Sequence, residues 1–464
     1  MRDPRPEGRR DLQGLKKVPA ADQQMVRFDQ ALQIAQDFAR KRLDIFPEVH
    51  FIRDLAGRVS IALNVSGEDL PDRASLSSDL HRRLQRFGPG EDEAVQTKDD
   101  LLLPEEIFET REKILLGPTD REFYLVDRLM TNQDWLRAPL QSAPPLPTAV
   151  AYSIKGGVGR STAFAAWACH LAREGRRVLA VDLDLEAPGL QTLLLQEEAE
   201  ESPRERRPDC GVVDWLVEQH VGQANPALLE DMLGSVDLAP GTPGEIQVIP
   251  AFGRKSNDYV AKLGRAYLSV FAADGSEKGF AEGIADLLEA VAARAESFDV
   301  ALLDVRAGLH DIGAAAVTRL GAHAFLFARD DRQTWTAYKH LFHHLKSSPA
   351  VEYGMPDHDL RWRLSTVGSM VGPTPKDFEA LRGASFALWS LLYDEEMEPS
   401  LDTPEEHDES MPHWPLQIVR DNAMQGASFE NPDWAPTEKV LNGVYGDFFK
   451  RAGQRLFGET PKSP

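Results

Sequence analysis

The segment Lys155-Gly156-Gly157-Val158-Gly159-Arg160-Ser161-Thr162 combines residue types and spacing that can do chemistry. Glycines at 156, 157 and 159 let the backbone curl until successive N–H groups face one anion. A helical run opens at Ser161, and its N-terminus adds the positive end of a helix dipole. In loops of this kind a Lys reaches the outer phosphates and a Ser or Thr hydroxyl ligates Mg2+. Ser161 offers that hydroxyl, with Thr162 beside it. Arg160 stands in the lysine's place. It keeps the charge and can fork onto phosphate oxygens, but it is bulkier than a Lys. The chemistry implied is the cradling of a phosphate chain.

Such a loop works only if a strand enters it and a helix leaves it. AVAYSI before the loop reads as a strand, Ser161–Glu174 as a helix, and Arg177–Asp182 as the next strand. The alternation continues with strands at Ile246–Ala251, Val300–Asp304, Ala324–Ala328, Trp362–Val367 and Leu416–Val419. Helical patterns fall at Ala281–Ser297, Trp335–Lys346 and Lys376–Tyr393. Strand–helix alternation specifies a doubly wound, mostly parallel α/β sheet. A smaller α+β block precedes it. Its spacing predicts a helix over Phe28–Leu43, strands at Val49–Arg53 and Val59–Val65 joined by a Leu55-Ala56-Gly57 turn, a helix at Leu76–Phe87, and a strand at Glu122–Leu129. The expected organisation is a disordered basic tail (1–24), the small domain (25–142), a Pro-rich linker (143–147), the sheet domain (148–458) and a short tail (459–464). Gln196–Pro208 and Pro399–Pro412 read as charged loops.

KGGVGRST resembles the KGGxGK[ST] signature of the ParA/MinD ATPases, the deviant Walker P-loop proteins. The resemblance spans about Thr148–Ala328 and implies a P-loop NTPase domain that binds ATP and Mg2+. It implies that Lys155 reaches across a nucleotide-sandwich homodimer to the partner's phosphates. The acidic pair in VDLDLEAPGL is similar to the family's: Asp184 would orient the attacking water and Asp182 would help at the metal. FDVALLDVRAGLHD matches the third element, so that Asp304 would sit beyond the metal and Gly308 would let the backbone approach the γ-phosphate. Arg306 departs from the usual proline together with Arg160, and the two mark a KGGVGR-variant branch. Arg306 is read either as an extra transition-state cation or as a salt-bridge partner, for instance of Asp304. Asp421 and Asn422, after the last strand, occupy the place of a base-contacting loop. The implied function is an ATP-dependent dimerising switch with weak hydrolysis that regulates a partner protein. A degenerate nucleotide-binding scaffold or sensor subunit of a multiprotein system, such as a defence system, is the alternative. A DNA-partitioning ATPase is a third, weaker reading.

Composition bounds these readings. The 464 residues suffice for two or three domains of about 100–200 residues. A net charge of -22 argues against nucleic acid as a partner for the surface at large. Two cysteines, Cys169 and Cys210, exclude a disulfide framework and fit a reducing cytoplasm. No apolar stretch of spanning length occurs. His340, His343 and His344 share a helix but lack a third metal ligand, and they read as solvated or capping residues. Arg329–Arg332 reads either as a solvated charged loop or, by the resemblance, as an edge near the nucleotide base. The C-terminal run TEKVLNGVYGDFFKRAGQRLFG is amphipathic with basic residues; docking on the sheet is favoured over contact with a membrane surface, because its glycines weaken a free-standing helix.

Overall fold

The computed structural model describes residues 25–43, 46–110, 113–116, 122–129, 133–195, 208–271, 277–295, 297–346, 348–351, 359–393, 405–424, 426–429 and 435–458. The expected tails, most of Gln196–Pro208 and part of Pro399–Pro412 lie outside the described residues. The chain forms two compact units, Met1–Glu109 with Thr119–Arg128, and Thr110–Pro118 with Leu129–Pro464.

In the first unit, α1 (Phe28–Arg42) and α2 (Arg73–Leu84) lie with β1 (Glu48–Arg53), β2 (Val59–Leu63), β3 (Val95–Thr97) and β4 (Glu122–Asp127). The strands run in the order β3-β2-β1-β4. The hairpin expected at Leu55-Ala56-Gly57 is present. Asp54 accepts the Ala56 and Arg58 amide hydrogens at 2.9 and 2.8 Å, and Gly57 takes φ +82°, a left-handed backbone that suits glycine. β1 then pairs antiparallel with β2 (Phe51↔Ile61) and parallel with β4 (Val49↔Phe123). The helical spacing buries Ala31, Ala35 and Phe38 of α1 and Leu80 and Leu84 of α2.

The second unit is a sheet of β5 (Thr148–Tyr152), β6 (Arg177–Leu183), β7 (Gly234–Ser235), β8 (Glu245–Ile249), β9 (Val300–Val305), β10 (His323–Ala328), β11 (Leu364–Val371) and β12 (Leu416–Val419). Their order is β12-β11-β10-β5-β9-β6-β8-β7. Every pairing is parallel except β7 with β8, an antiparallel edge that the sequence did not announce. Helices cover both faces: α3 (Arg160–Arg173), α4 (Val212–Gln219), α5 (Tyr259–Ala266), α6 (Phe280–Ala292), α7 (Arg332–Leu345), α8 (Pro375–Trp389) and α9 (Glu438–Phe457). The period of two sorts the strand residues. Val150 and Tyr152 of β5 face one core with α4, α6, α7 and α8, while Ala149 and Ala151 face the other with α3 and α9. This is the expected doubly wound P-loop architecture.

Three local readings are refined. Trp362 is not in a strand; Asp359 caps a short turn at Leu360–Arg363 through the Arg361 amide, and β11 runs on to Val371. The Pro-rich stretch 143–147 lies inside the second unit, which the chain has already entered at Leu129. Leu146 is buried, the Pro147 carbonyl accepts from Ala301 N–H at 2.9 Å, and Leu140 N–H donates to Arg319 at 2.9 Å. Arg319 ends a single π-helical turn, Ala315–Arg319, and is itself held by Asp134 (2.7 Å) and Glu282 (2.6 Å). The C-terminal run forms α9, which buries Leu441, Val444, Tyr445, Phe448, Phe449 and Ala452, with Phe448 edge-on to Trp167. No described helix is long and apolar enough to cross a membrane.

Candidate functional site

The phosphate-type loop leaves the C-terminal end of β5 and turns into α3. Gly157 and Gly159 adopt φ +70° and +83°, so a side chain at either position would be strained. No heavy atom lies within 4 Å of where a Cβ would stand on Gly156, Gly157 or Gly308, which leaves the space above the loop open. Two neighbouring segments clamp the loop. From the β9 side, Gly308 N–H donates to Ser153 (2.9 Å) and Tyr152 Oη donates to the Gly308 carbonyl (3.1 Å), while Gly308 itself has φ +101°. From the β11 side, Ser369 Oγ donates to the Val158 carbonyl. Its neighbour Met370 takes φ +55°, a left-handed conformation that costs a non-glycine residue about 1–3 kcal/mol, and its methyl group lies 3.6 Å from the Cβ position of Gly159.

Parallel register sets two carboxylates side by side beneath the loop, Asp304 on β9 opposite Asp182 on β6. Both are fully buried, yet they are held differently. Asp182 accepts the amides of Asp184 (3.1 Å) and Gln191 (3.0 Å), and so organises the turn after β6. Burial, and then the charge of Asp304, push its carboxyl well above the usual range, against the pull of those amides. Neither oxygen of Asp304 makes a hydrogen bond. Burial pushes it up to about 6, while Arg160 and the Ser161 hydroxyl favour its charged form. A buried carboxylate whose oxygens are short of hydrogen bonds is costly, and a cation placed against it offsets that cost. Asp304 and Ser161, beneath an open glycine cradle, therefore fit Mg2+ and a phosphate chain.

The cations of the site are all engaged. Lys155, 39% exposed, pairs with Asp331 at 3.5 Å. Asp331 is also the cap of α7, accepting from Thr334 N–H at 2.9 Å. Arg160 turns inward, 8% exposed, with Nη1 on the Val305 carbonyl and Nη2 3.7 Å from Asp184. Arg306 pairs with Glu186, not with Asp304. The fold thus gathers Lys155, Arg160, Ser161, Thr162, Asp182, Asp184, Asp304, Arg306 and Gly308 around one loop. Asp421 stands exposed after β12, with β11 and β10 between that strand and β5. Ser369 and Met370 belong to the site and were not legible, because each enters through a tertiary contact from a distant segment, whereas Glu186 lies two residues after Asp184 and only its pairing with Arg306 is tertiary. Asp331 has a sequence signal, the charged run after a strand, but its carboxylate is engaged by Lys155 and by the Thr334 amide. Of the three helical histidines, His344 bonds the Trp135 carbonyl at 3.0 Å while His340 and His343 are exposed, and no metal-ligand cluster occurs among the described residues.

Residues 149–345 match the family model for the CobQ/CobB/MinD/ParA nucleotide binding domain. Solved structures similar to the chain include pNOB8 ParA (18% identity, 68% of this chain and 100% of that one, TM-score 0.42). A ParA family ATPase from Chlorobium tepidum TLS gives 15% identity, 67% and 95% coverage, and a TM-score of 0.37. Cobyrinic acid a,c-diamide synthase from Mycobacterium smegmatis with bound ADP and magnesium gives 17% identity, 52% and 82% coverage, and a TM-score of 0.35. No curated protein matches the chain. With its glycine loop between β5 and α3 and its match to that model, the segment 149–345 is a ParA/MinD-like P-loop nucleotide-binding domain.

Proposed function

We propose that this chain is an ATP- and Mg2+-dependent switch that dimerises when loaded and presents the dimer to a partner protein in the cytoplasm. The observation that carries this reading is the fully buried Asp304 carboxylate, short of hydrogen bonds, beneath the open Lys155–Thr162 loop and next to the Ser161 hydroxyl. In this reading Ser161 and Asp304 hold the metal. The loop amides and Arg160 hold phosphate, Asp184 orients water, and Gly308 admits the γ-phosphate. Lys155 supports the dimer: it sits at the rim, half-exposed, and a single carboxylate at 3.5 Å restrains it. A screened pair of that kind contributes at most about 1 kcal/mol, so exchanging it for a partner's phosphate costs little.

Static light scattering with and without ATP and Mg2+ tests the reading. The wild-type chain doubles its mass with nucleotide. Lys155→Ala still binds ATP within a few-fold but stays monomeric. Normal dimerisation of that variant would overturn the sandwich. One observation favours a second reading, a nucleotide sensor with little hydrolysis: Asp184, the residue expected to handle water, is tied to Arg160. A thermal shift with ATP but no phosphate release identifies the sensor.

A further inference from the structure

We propose that Arg160 and Asp184 form a latch, in which Arg160 exchanges the Asp184 carboxylate for phosphate oxygens on loading and thereby frees Asp184 and its loop. The inference rests on the nucleotide reading above. It assigns Arg160 as a positioning residue for Asp184 in addition to its place in the phosphate loop.

Cations are scarce where the carboxylates of this site converge. Three aspartates, Asp182, Asp184 and Asp304, converge at the ends of β6 and β9, and Arg160 meets two of them, Asp184 and Asp304, inside the fold. Lys155 and Arg306 face other acids, Asp331 and Glu186. Arg160 is 8% exposed and Asp184 13% exposed, so solvent screens their attraction only in part. One prong of the guanidinium, Nη1, is anchored on the Val305 carbonyl at the end of β9. The anchor fixes the plane of the group, and the remaining donors are what Asp184 holds and what an incoming phosphate would need. A lysine ammonium is a point charge and cannot keep a carbonyl anchor while presenting a flat fork to a second acceptor.

Asp184 is also connected to the chain that follows it. Its Oδ1 accepts the Ala187 amide at 3.1 Å, and Glu186, one residue before that amide, carries the pair with Arg306. Tyr259 of α5 donates to the Leu185 carbonyl in the same turn. Loss of the Arg160 contact therefore loosens a segment tied both to the β9 loop through Arg306 and to α5 through Tyr259. That is a physical route from an occupied loop to an outer surface of the unit.

A double-mutant cycle read by calorimetry, with ATP in EDTA to remove any contribution of the metal, tests the latch. Asp184→Asn is measured in the wild-type, Arg160→Ala and Arg160→Lys chains. In every background Asp184→Asn removes some repulsion between residue 184 and phosphate, but only in the chain with Arg160 does it also remove the competing ion pair. The latch predicts that Asp184→Asn tightens ATP binding at least five-fold more in the Arg160 chain than in the Arg160→Ala chain. The Arg160→Lys chain falls between, and serves alone if Arg160→Ala does not fold. A purely structural role for Arg160 changes every affinity together and leaves the ratio at one. Equal tightening in all backgrounds overturns the latch while leaving the nucleotide reading intact. Absence of ATP binding by the wild-type chain, with and without Mg2+, overturns both.

Discussion

Single residues in this chain are decided by burial as much as by chemical type. Cys169 is an instance: burial pushes its thiol up to about 12, which leaves it an inert packing group in α3. His323 is another. It is buried at the start of β10, hydrogen-bonded to Ser365 at 2.9 Å, and pushed down to about 3 by burial and then by Arg455 and Arg363. The unfolded chain takes up this proton below its ordinary value of 6.5, whereas the folded chain does not until about pH 3. Stability from the neutral ring is therefore complete above pH 6.5 and is lost as pH falls through that window, at up to about 1.4 kcal/mol per pH unit. Urea unfolding between pH 7 and 5 should show a steep acid limb for the wild type and a shallower one for His323→Gln. Identical slopes would assign the limb to other groups.

At the scale of elements, the site depends on how closely β11 and α8 approach each other. Gly368 on β11 has no room for a side chain: a Cβ there would stand 2.1 Å from Leu381 Cδ2 on α8. Leu381 is fully buried and cannot swing away freely. Gly368→Ala is expected to cost about 1–3 kcal/mol by overpacking. It should also weaken ATP binding, since Ser369, the next residue, holds the Val158 carbonyl of the loop. Adding Leu381→Ala to Gly368→Ala should cost less than the sum of the two single changes, because the second makes the space the first needs. Strict additivity in urea unfolding would show that the helix and strand do not meet there. α8 itself was legible as the helical pattern at Lys376–Tyr393; in the structure it runs Pro375–Trp389 behind a reciprocal cap of Thr374 and Asp377. The close approach was not, because a glycine in a strand pattern signals something near without saying what.

For the whole molecule, charge matters most. The chain carries 74 acidic and 52 basic residues. Two copies approaching face to face repel at long range, and salt shortens that range to about 8 Å at physiological ionic strength. The ATP-dependent dimer should accordingly tighten as NaCl rises from low to physiological concentration, as seen by light scattering over a dilution series. A dimer that weakens with salt would mean that opposite charges across the interface outweigh the net repulsion.

Sequence by itself determined the alternation of strands and helices, the glycine loop between the first sheet strand and α3, and the carboxylates at strand ends. Each of these depends on periodicity or on steric freedom, which are local properties of the chain. It also determined that Arg160 would be the unusual residue of the loop. Only the tertiary structure decided what Arg160 does there. Its partners, Val305 and Asp184, come from β9 and from the turn after β6, and parallel register brings them under the loop. The same register sets Asp304, whose oxygens make no full hydrogen bond, beside Asp182, whose oxygens are occupied by backbone amides. Spacing along a chain can place a carboxylate at the end of a strand; which neighbour meets it there depends on strand order, a non-local property that no local pattern encodes.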